Sequence, residues 1–218
     1  MRQRKVKNEE ERIAALEEYM IRDAKDIKGH WAEFLQIKNE FFNGNLFLEL
    51  GCGRGHFLVA HAENNLKNFY LGAEGRSSIV LRTLELIREK ELSNVLCIPE
   101  FIEQLEDYFA FEELSGIYLN FSDPWPKARH AKRRLTHRRY LEGYKRILKS
   151  GGFIEIKTDN DALFSFTLEE CEVCGMNIVL CTHDLHKTDF PARLITTQYE
   201  ERFRLLRKTI NYCKIVIE

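Results

Sequence analysis

The chain has 218 residues, 44% of them hydrophobic, and its 33 Lys and Arg against 34 Asp and Glu leave a net charge of -1. That length supports one sizeable domain with its own core, and no run approaches the roughly 18 to 20 apolar residues of a membrane span. The near-neutral total excludes a uniformly basic protein, and the six cysteines (Cys52, Cys97, Cys171, Cys174, Cys181, Cys213) lie mostly in apolar runs, which suits reduced thiols in a cytoplasmic protein better than a disulfide framework.

Residues 1–43 read as a polar, helical N-terminal extension in which Ile13, Leu16 and Met20 fall on one helix face. Residues 44–218 read as the main domain. Strands are predicted over 45–50, 69–73, 95–98, 116–121 and 153–157, with helices over 56–63, 77–91, 100–108 and 136–148 between them. Such alternation predicts an α/β fold, a parallel sheet with helices on both faces. A further helix is predicted over 158–174, with Asp159 near its start. Residues 177–181 and 203–206 read as two late strands forming an antiparallel edge.

The first strand ends in Leu48-Glu49-Leu50-Gly51-Cys52-Gly53-Arg54-Gly55, where glycines let the backbone turn sharply and approach a ligand closely. Glu74 follows at the tip of the second strand, at the spacing that places a carboxylate on ribose hydroxyls in doubly wound folds. A nucleoside cofactor is therefore expected. The third glycine arrives one position earlier than in a dinucleotide fingerprint, with His56 in the place of that glycine. Glu49 would repel a pyrophosphate, but it suits a cationic ligand such as S-adenosylmethionine. Glu100, after the third strand, is a candidate for the adenine.

The fourth strand runs into Asn120-Phe121-Ser122-Asp123-Pro124-Trp125-Pro126-Lys127 and then Ala128-Arg129-His130-Ala131-Lys132-Arg133-Arg134. Prolines fix φ and remove backbone donors, so this segment leaves the sheet as a stiff loop at a strand end, a common position for functional groups. Nine cations between Lys127 and Arg146 face a single acid, Glu142, which makes a local patch able to meet a polyanion. Composition alone leaves Trp125 either stacking on a base or packing the loop, and Thr158-Asp159 either contacting substrate or capping a helix. Thr197-Gln198-Tyr199-Glu200 suits reading a base edge or closing a turn. Cys171 and Cys174 with His183 and His186 lack the spacing of a zinc finger, so no metal is expected.

Glu49 to Gly55, Gly72-Ala73-Glu74, the Asn120 to Lys127 run, the Arg129 to Arg134 block, Lys157-Thr158-Asp159 and Thr197 to Glu200 together resemble the bacterial tRNA (guanine-N7)-methyltransferases. The resemblance covers nearly the whole chain from about Asn45. It implies a Rossmann-like class I methyltransferase fold, with a mostly parallel seven-stranded sheet carrying an antiparallel edge strand. It also implies S-adenosyl-L-methionine as donor and guanine 46 of tRNA as acceptor. No membrane partner is expected from the hydropathy, and a monomer or homodimer is expected. By position, Glu49, Glu74 and Asp123 resemble cofactor-pocket residues, with Asp123 also the catalytic candidate, and Gly51, Gly53 and Gly55 form the cofactor loop. Lys127, Asp159, Thr197, Gln198, Tyr199 and Glu200 resemble substrate-binding positions; Arg129, Lys132, Arg133 and Arg134 resemble the RNA-contacting segment. Where many members carry an Asn-x-Asp element, this chain has Cys97-Ile98-Pro99-Glu100-Phe101. Competing readings are another adenosylmethionine-dependent enzyme, an RNA-binding scaffold and a nicotinamide dehydrogenase.

Overall fold

A computed structural model describes residues 6–206 and 208–218. The strands β1 (Leu46–Leu50), β2 (Phe69–Ala73) and β3 (Val95–Ile98) are buried along their whole length, as befits continuous apolar runs covered on both faces. With β4 (Leu114–Asn120), β5 (Leu148–Thr158), β6 (Asn177–Thr182) and β7 (Asn211–Val216) they form one sheet in the order β3-β2-β1-β4-β5-β7-β6. The first five strands are parallel, and β7 runs antiparallel to both of its neighbours, one place in from the edge that β6 occupies.

The helices are α1 (Glu9–Ala14), α2 (Trp31–Lys38), α3 (His56–Asn64), α4 (Ser77–Glu89), α5 (Arg138–Ile147), α6 (Asp161–Val173) and α7 (Gln198–Leu205). Leu46, Leu48 and Leu50 join the larger core with α2, α5 and α6. Phe47, Tyr70 and Tyr118 point the other way onto Phe57 and Leu58 of α3, so the period of two along each strand feeds two cores. The N-terminal residues share the larger one. Trp31 stacks on Phe109 at 5.3 Å between ring centroids and its Nε1 donates to the Tyr108 carbonyl at 2.8 Å. Met20 forms a parallel bridge with Cys97, and the Ile21 amide donates to the Cys97 carbonyl at 2.9 Å, adding one rung outside β3.

Three expectations are corrected. The helix expected over 100–108 is an extended segment with one 3-10 turn, Leu105–Asp107; that turn already puts Leu105 and Tyr108 on one side, so their spacing of three needs no α-helix. Residues 203–205 of the strand expected over 203–206 lie in α7, and the last strand is β7. The helix expected from 158 begins at Asp161, because the Asn160 side chain caps it by accepting from the Leu163 amide at 2.8 Å.

Candidate active site

Strand order reverses direction between β1 and β4, and in an open α/β sheet the crevice at the carboxyl ends of such a pair receives ligands. Glu49 stands there, only 2% exposed. The Asn120 side-chain amide, at the end of β4, donates to one of its oxygens at 2.8 Å, and the other oxygen has no hydrogen-bond partner among the described residues. Burial pushes the Glu49 carboxyl up to about 8, against the opposing pull of Asn120 and the Lys157 charge.

The loop after β1 holds Gly51, Gly53 and Gly55 at φ of 73°, 57° and 77°, a region that side chains rarely adopt. Gly55 is also sterically required: a Cβ there would lie 2.6 Å from Thr83 Cγ2 on α4, whose hydroxyl donates to the Gly53 carbonyl at 2.7 Å. Glu74, directly after β2, is 7% exposed and accepts from the Arg76 amide at 3.0 Å. Burial raises its carboxyl as well, while the backbone N–H groups of Arg76, Gly53 and Gly75 pull the other way, which ties Glu74 to the glycine loop. Glu100 is half-buried and accepts from the Tyr108 hydroxyl at 2.7 Å. Its neighbour Phe101 lies against Gly75, so close that a Cβ on that glycine would overlap the ring.

These groups fit a nucleoside bearing a cationic amino-acid tail. A buried carboxyl oxygen with no hydrogen-bond partner among the described residues, at the mouth of a loop open above Gly51 and Gly53, is free to meet an ammonium, which would favour the ionised form of the group.

The other side of the crevice is exposed. The loop leaving β4 carries two non-glycine residues at positive φ, Phe121 at 51° and Trp125 at 41°. Arg134 holds the strained turn by donating to the carbonyls of Pro124 and Trp125, both at 3.1 Å, while its guanidinium lies 4.3 Å from the centre of the Phe166 ring. Trp125 is half-buried under the Arg133 guanidinium, 4.9 Å from the ring centre, with His130 edge-on at 5.7 Å. Asp123, Lys127, Arg129, Lys132 and Arg133 are exposed.

Facing this loop is a strap formed by the residues before and at the start of α7. Thr197 and Glu200 make a reciprocal capping box: the Glu200 amide donates to the Thr197 hydroxyl at 3.0 Å and the Thr197 amide donates to Glu200 Oε2 at 3.2 Å. Between them, Gln198 and Tyr199 are exposed. The Gln198 amide meets His56 Nε2 at 2.7 Å, and the Tyr199 ring stacks on Phe121 at 6.0 Å. Asp159 pairs with Lys208.

Comparison with known proteins decides the family. A family model described as "Putative methyltransferase" matches residues 43–213. A tRNA (guanine-N(7)-)-methyltransferase of Geobacillus sp. (strain WCH70) is 37% identical over 207 residues, 94% of this chain and 90% of the relative. The enzyme of that name from Oceanobacillus iheyensis is 37% identical over 218 residues and the whole of both chains. The chain belongs to the tRNA (guanine-N7)-methyltransferase family. Among solved structures, the 16S rRNA methyltransferase KamB superposes with a TM-score of 0.63 at 11% identity, over 86% of this chain and 94% of that one. An antibiotic-related methyltransferase gives 0.61 at 18%, over 84% and 92%. Both share the Rossmann-like class I methyltransferase fold.

For this member of the tRNA (guanine-N7)-methyltransferase family, the structure gathers Glu49, Gly51, Gly53, Gly55 and Glu74 at neighbouring strand ends. Asp123 lies three residues beyond β4, on the loop whose Phe121 ring stacks on Tyr199, while Gln198 meets His56 at the start of α3. Thr197 and Glu200 are drawn inward as a helix cap, and Arg134 is spent on its own loop. Asn120 and Lys157 join the site beyond the residues that the sequence motifs point to; the signal for both is a polar side chain on a buried strand where an apolar one is expected. Among the described residues no cluster could hold a metal ion, and no helix is long and apolar enough to cross a membrane. Cys171 is buried, and His183 Nδ1 bonds the Asn211 side chain at 2.8 Å.

Proposed function

We propose that this chain transfers the methyl group of S-adenosyl-L-methionine to N7 of guanine 46 in the tRNA variable region, giving 7-methylguanosine. We further propose that it acts in the cytoplasm, as a monomer or homodimer. Bound S-adenosylmethionine supplies an electrophilic methyl on a sulfonium centre. The observation that carries this reading is the buried, half-satisfied carboxyl of Glu49 beside the glycine loop, held by Asn120 at the root of a loop that carries the exposed Asp123 and continues into a cationic block. Glu49 would hold the donor's ammonium and Glu74 its ribose, with Glu100 or the Phe101 ring beside the adenine.

Guanine N7 carries an in-plane lone pair and no proton, so no residue has to act as a base. The chain's task is orientation and tolerance of the positive charge that develops on the ring. Asp123 accepts from the guanine N1 and N2 donors, which turns N7 toward the donor and stabilises the cation. Tyr199 and Gln198 border the base. Lys127, Arg129, Lys132 and Arg133 bind phosphates, which adds affinity without sequence information. Asp159, paired with Lys208, positions the substrate strand. We assign residues 1–43 to an extension and 44–218 to the methyltransferase domain, supported by the family match beginning at residue 43, although the extension docks Trp31 and Leu35 into the shared core.

Incubation with unmodified tRNA and labelled S-adenosylmethionine, followed by nucleoside analysis, tests the reading. Label is expected in 7-methylguanosine and is lost when guanine 46 is replaced. Label in another nucleoside, or none at all, overturns it.

A further inference from the structure

The strap described above is held by a group that takes no part in the chemical step. Lys157, near the end of β5, is 1% exposed, and its ammonium makes three hydrogen bonds, to the carbonyls of Ala192 at 2.7 Å and Ile195 at 2.9 Å and to Glu200 Oε2 at 3.1 Å. All three protons are therefore used on one segment, residues 192–200. Its ion-pair partner Glu200 is fully buried, and the second oxygen of that carboxyl faces His186 Nε2 at 3.4 Å. Burial pulls the Lys157 ammonium down from its usual range while Glu200 holds it up.

The backbone of the same residue serves the opposite side of the crevice. Lys157 is in register with Asn120, whose side chain holds Glu49, and its carbonyl accepts from the Phe121 amide at 2.8 Å. One residue thus fastens the root of the Asp123 loop through its main chain and the strap through its side chain. The strap then reaches both halves of the site, through Gln198 to His56 beside Gly55 and through Tyr199 to Phe121. Taking an ion pair out of water costs several kcal/mol per ion, and apolar pairs of similar volume are often as stable or more so. Packing alone does not call for a Lys and a Glu here.

We propose that Lys157 is a positioning residue for methyl transfer: through Glu200 and the two carbonyls it locks residues 192–200 to the base of the catalytic loop. Gln198 and Tyr199 are thereby set across the acceptor crevice between the cofactor loop and Asp123. The proposal rests on the methyl-transfer reading above and adds a residue to it.

The test is the full-length double variant Lys157→Met with Glu200→Gln, which removes both charges, fills the same volume and keeps an oxygen to accept from the Thr197 amide. Losing the charged pair is close to neutral but the Ala192 and Ile195 carbonyls lose their donor, so a cooperative melt lowered by about 5 °C and an S-adenosylmethionine Kd within about 3-fold are expected. The kcat for tRNA should fall by roughly 30- to 100-fold, the scale of a misplacement of about 1 Å. Trypsin should cut faster at the exposed Arg193 and Arg202 of the variant while the core resists. A folded double variant with wild-type kcat and wild-type cleavage overturns the proposal, as does a loss of cofactor affinity equal to the loss of turnover. Should the double variant fail to fold, Lys157→Arg, which keeps the charge but cannot repeat the three ammonium hydrogen bonds, carries the test: a drop in kcat of about 10-fold or more together with faster cleavage at Arg193 supports the lock, and an unchanged kcat with unchanged cleavage overturns it. The wild-type protein is assayed alongside. If it forms no 7-methylguanosine, the methyl-transfer reading falls and this proposal with it; if it does while every variant keeps full turnover, only this proposal falls.

Discussion

The two sides of the crevice are built on opposite plans. On the donor side the working carboxyls are sealed in, Glu49 at 2% and Glu74 at 7% exposure, and are held by backbone amides and by Asn120. On the acceptor side Asp123, Lys127 and Tyr199 are in solvent, and what is buried is their scaffolding, Lys157 and Glu200 under the strap. A buried site gains strength per contact from a low dielectric, whereas an exposed one keeps access for a large polyanion and becomes dry only when that partner covers it. A small cationic ligand and a folded RNA ask for these two solutions.

The largest effect that would break this contrast is expected at Asp123. Replacement by Ala should lower kcat by about 100- to 1,000-fold, as for loss of one oriented group facing a developing charge. S-adenosylmethionine affinity, by calorimetry, should change far less; equal losses in both would place Asp123 on the donor side instead.

Next is Glu49→Gln, expected to weaken S-adenosylmethionine binding by roughly 10- to 100-fold, the worth of one charge-assisted hydrogen bond. The same carboxyl sets a pH dependence. Its ordinary value is 4.5 and burial takes it to about 8, so between those limits the folded protein holds a proton that the unfolded chain has released. Stability of the ligand-free protein should therefore fall as pH rises through that window and level off above it, and the Gln variant should lack this component. Cofactor affinity runs the other way, because the ammonium needs the ionised carboxyl. It should climb by up to about 10-fold per unit from pH 6 to 7.5, below the titration of the ligand's own amine. Thermal melts and calorimetry over that range, wild type against variant, measure both signs.

The smallest effect sharpens the acceptor half. Changing Arg129, Lys132 and Arg133 together to Gln should raise KM for tRNA by about 10-fold at low salt, leave kcat nearly intact, and reduce the salt slope of binding by about two to three. An unchanged slope would make that block a solvated face.

How much of this was legible depended on how far apart in the chain the partners lie. The glycine loop, Glu74 and the Asp123 loop are local patterns at strand ends, and each can be read within a few residues. The groups that complete them are not local. Asn120 reaches Glu49 only because the sheet places β4 beside β1, and Lys157 meets Glu200 only after α6, β6 and the strap have folded back. The strand expected over 203–206 fails for a different reason. Thr197 and Glu200 have the spacing of a helix start, a local signal, but that run also suits a base edge or a turn, and the apolar residues after it suit a strand as well as a helix face. Glu100 reads in sequence as an adenine partner, and its tie to the Tyr108 hydroxyl is seen only in three dimensions.

The single rung that Met20 and Ile21 add outside β3 has a consequence for handling the protein. An open strand edge is a template for pairing with other molecules, and this polar leading segment shields one rim of the sheet. Proteolytic loss of the residues before Ala24 would bare that rim, and the clipped protein should self-associate into aggregates even though every group proposed to handle donor or acceptor is still in place.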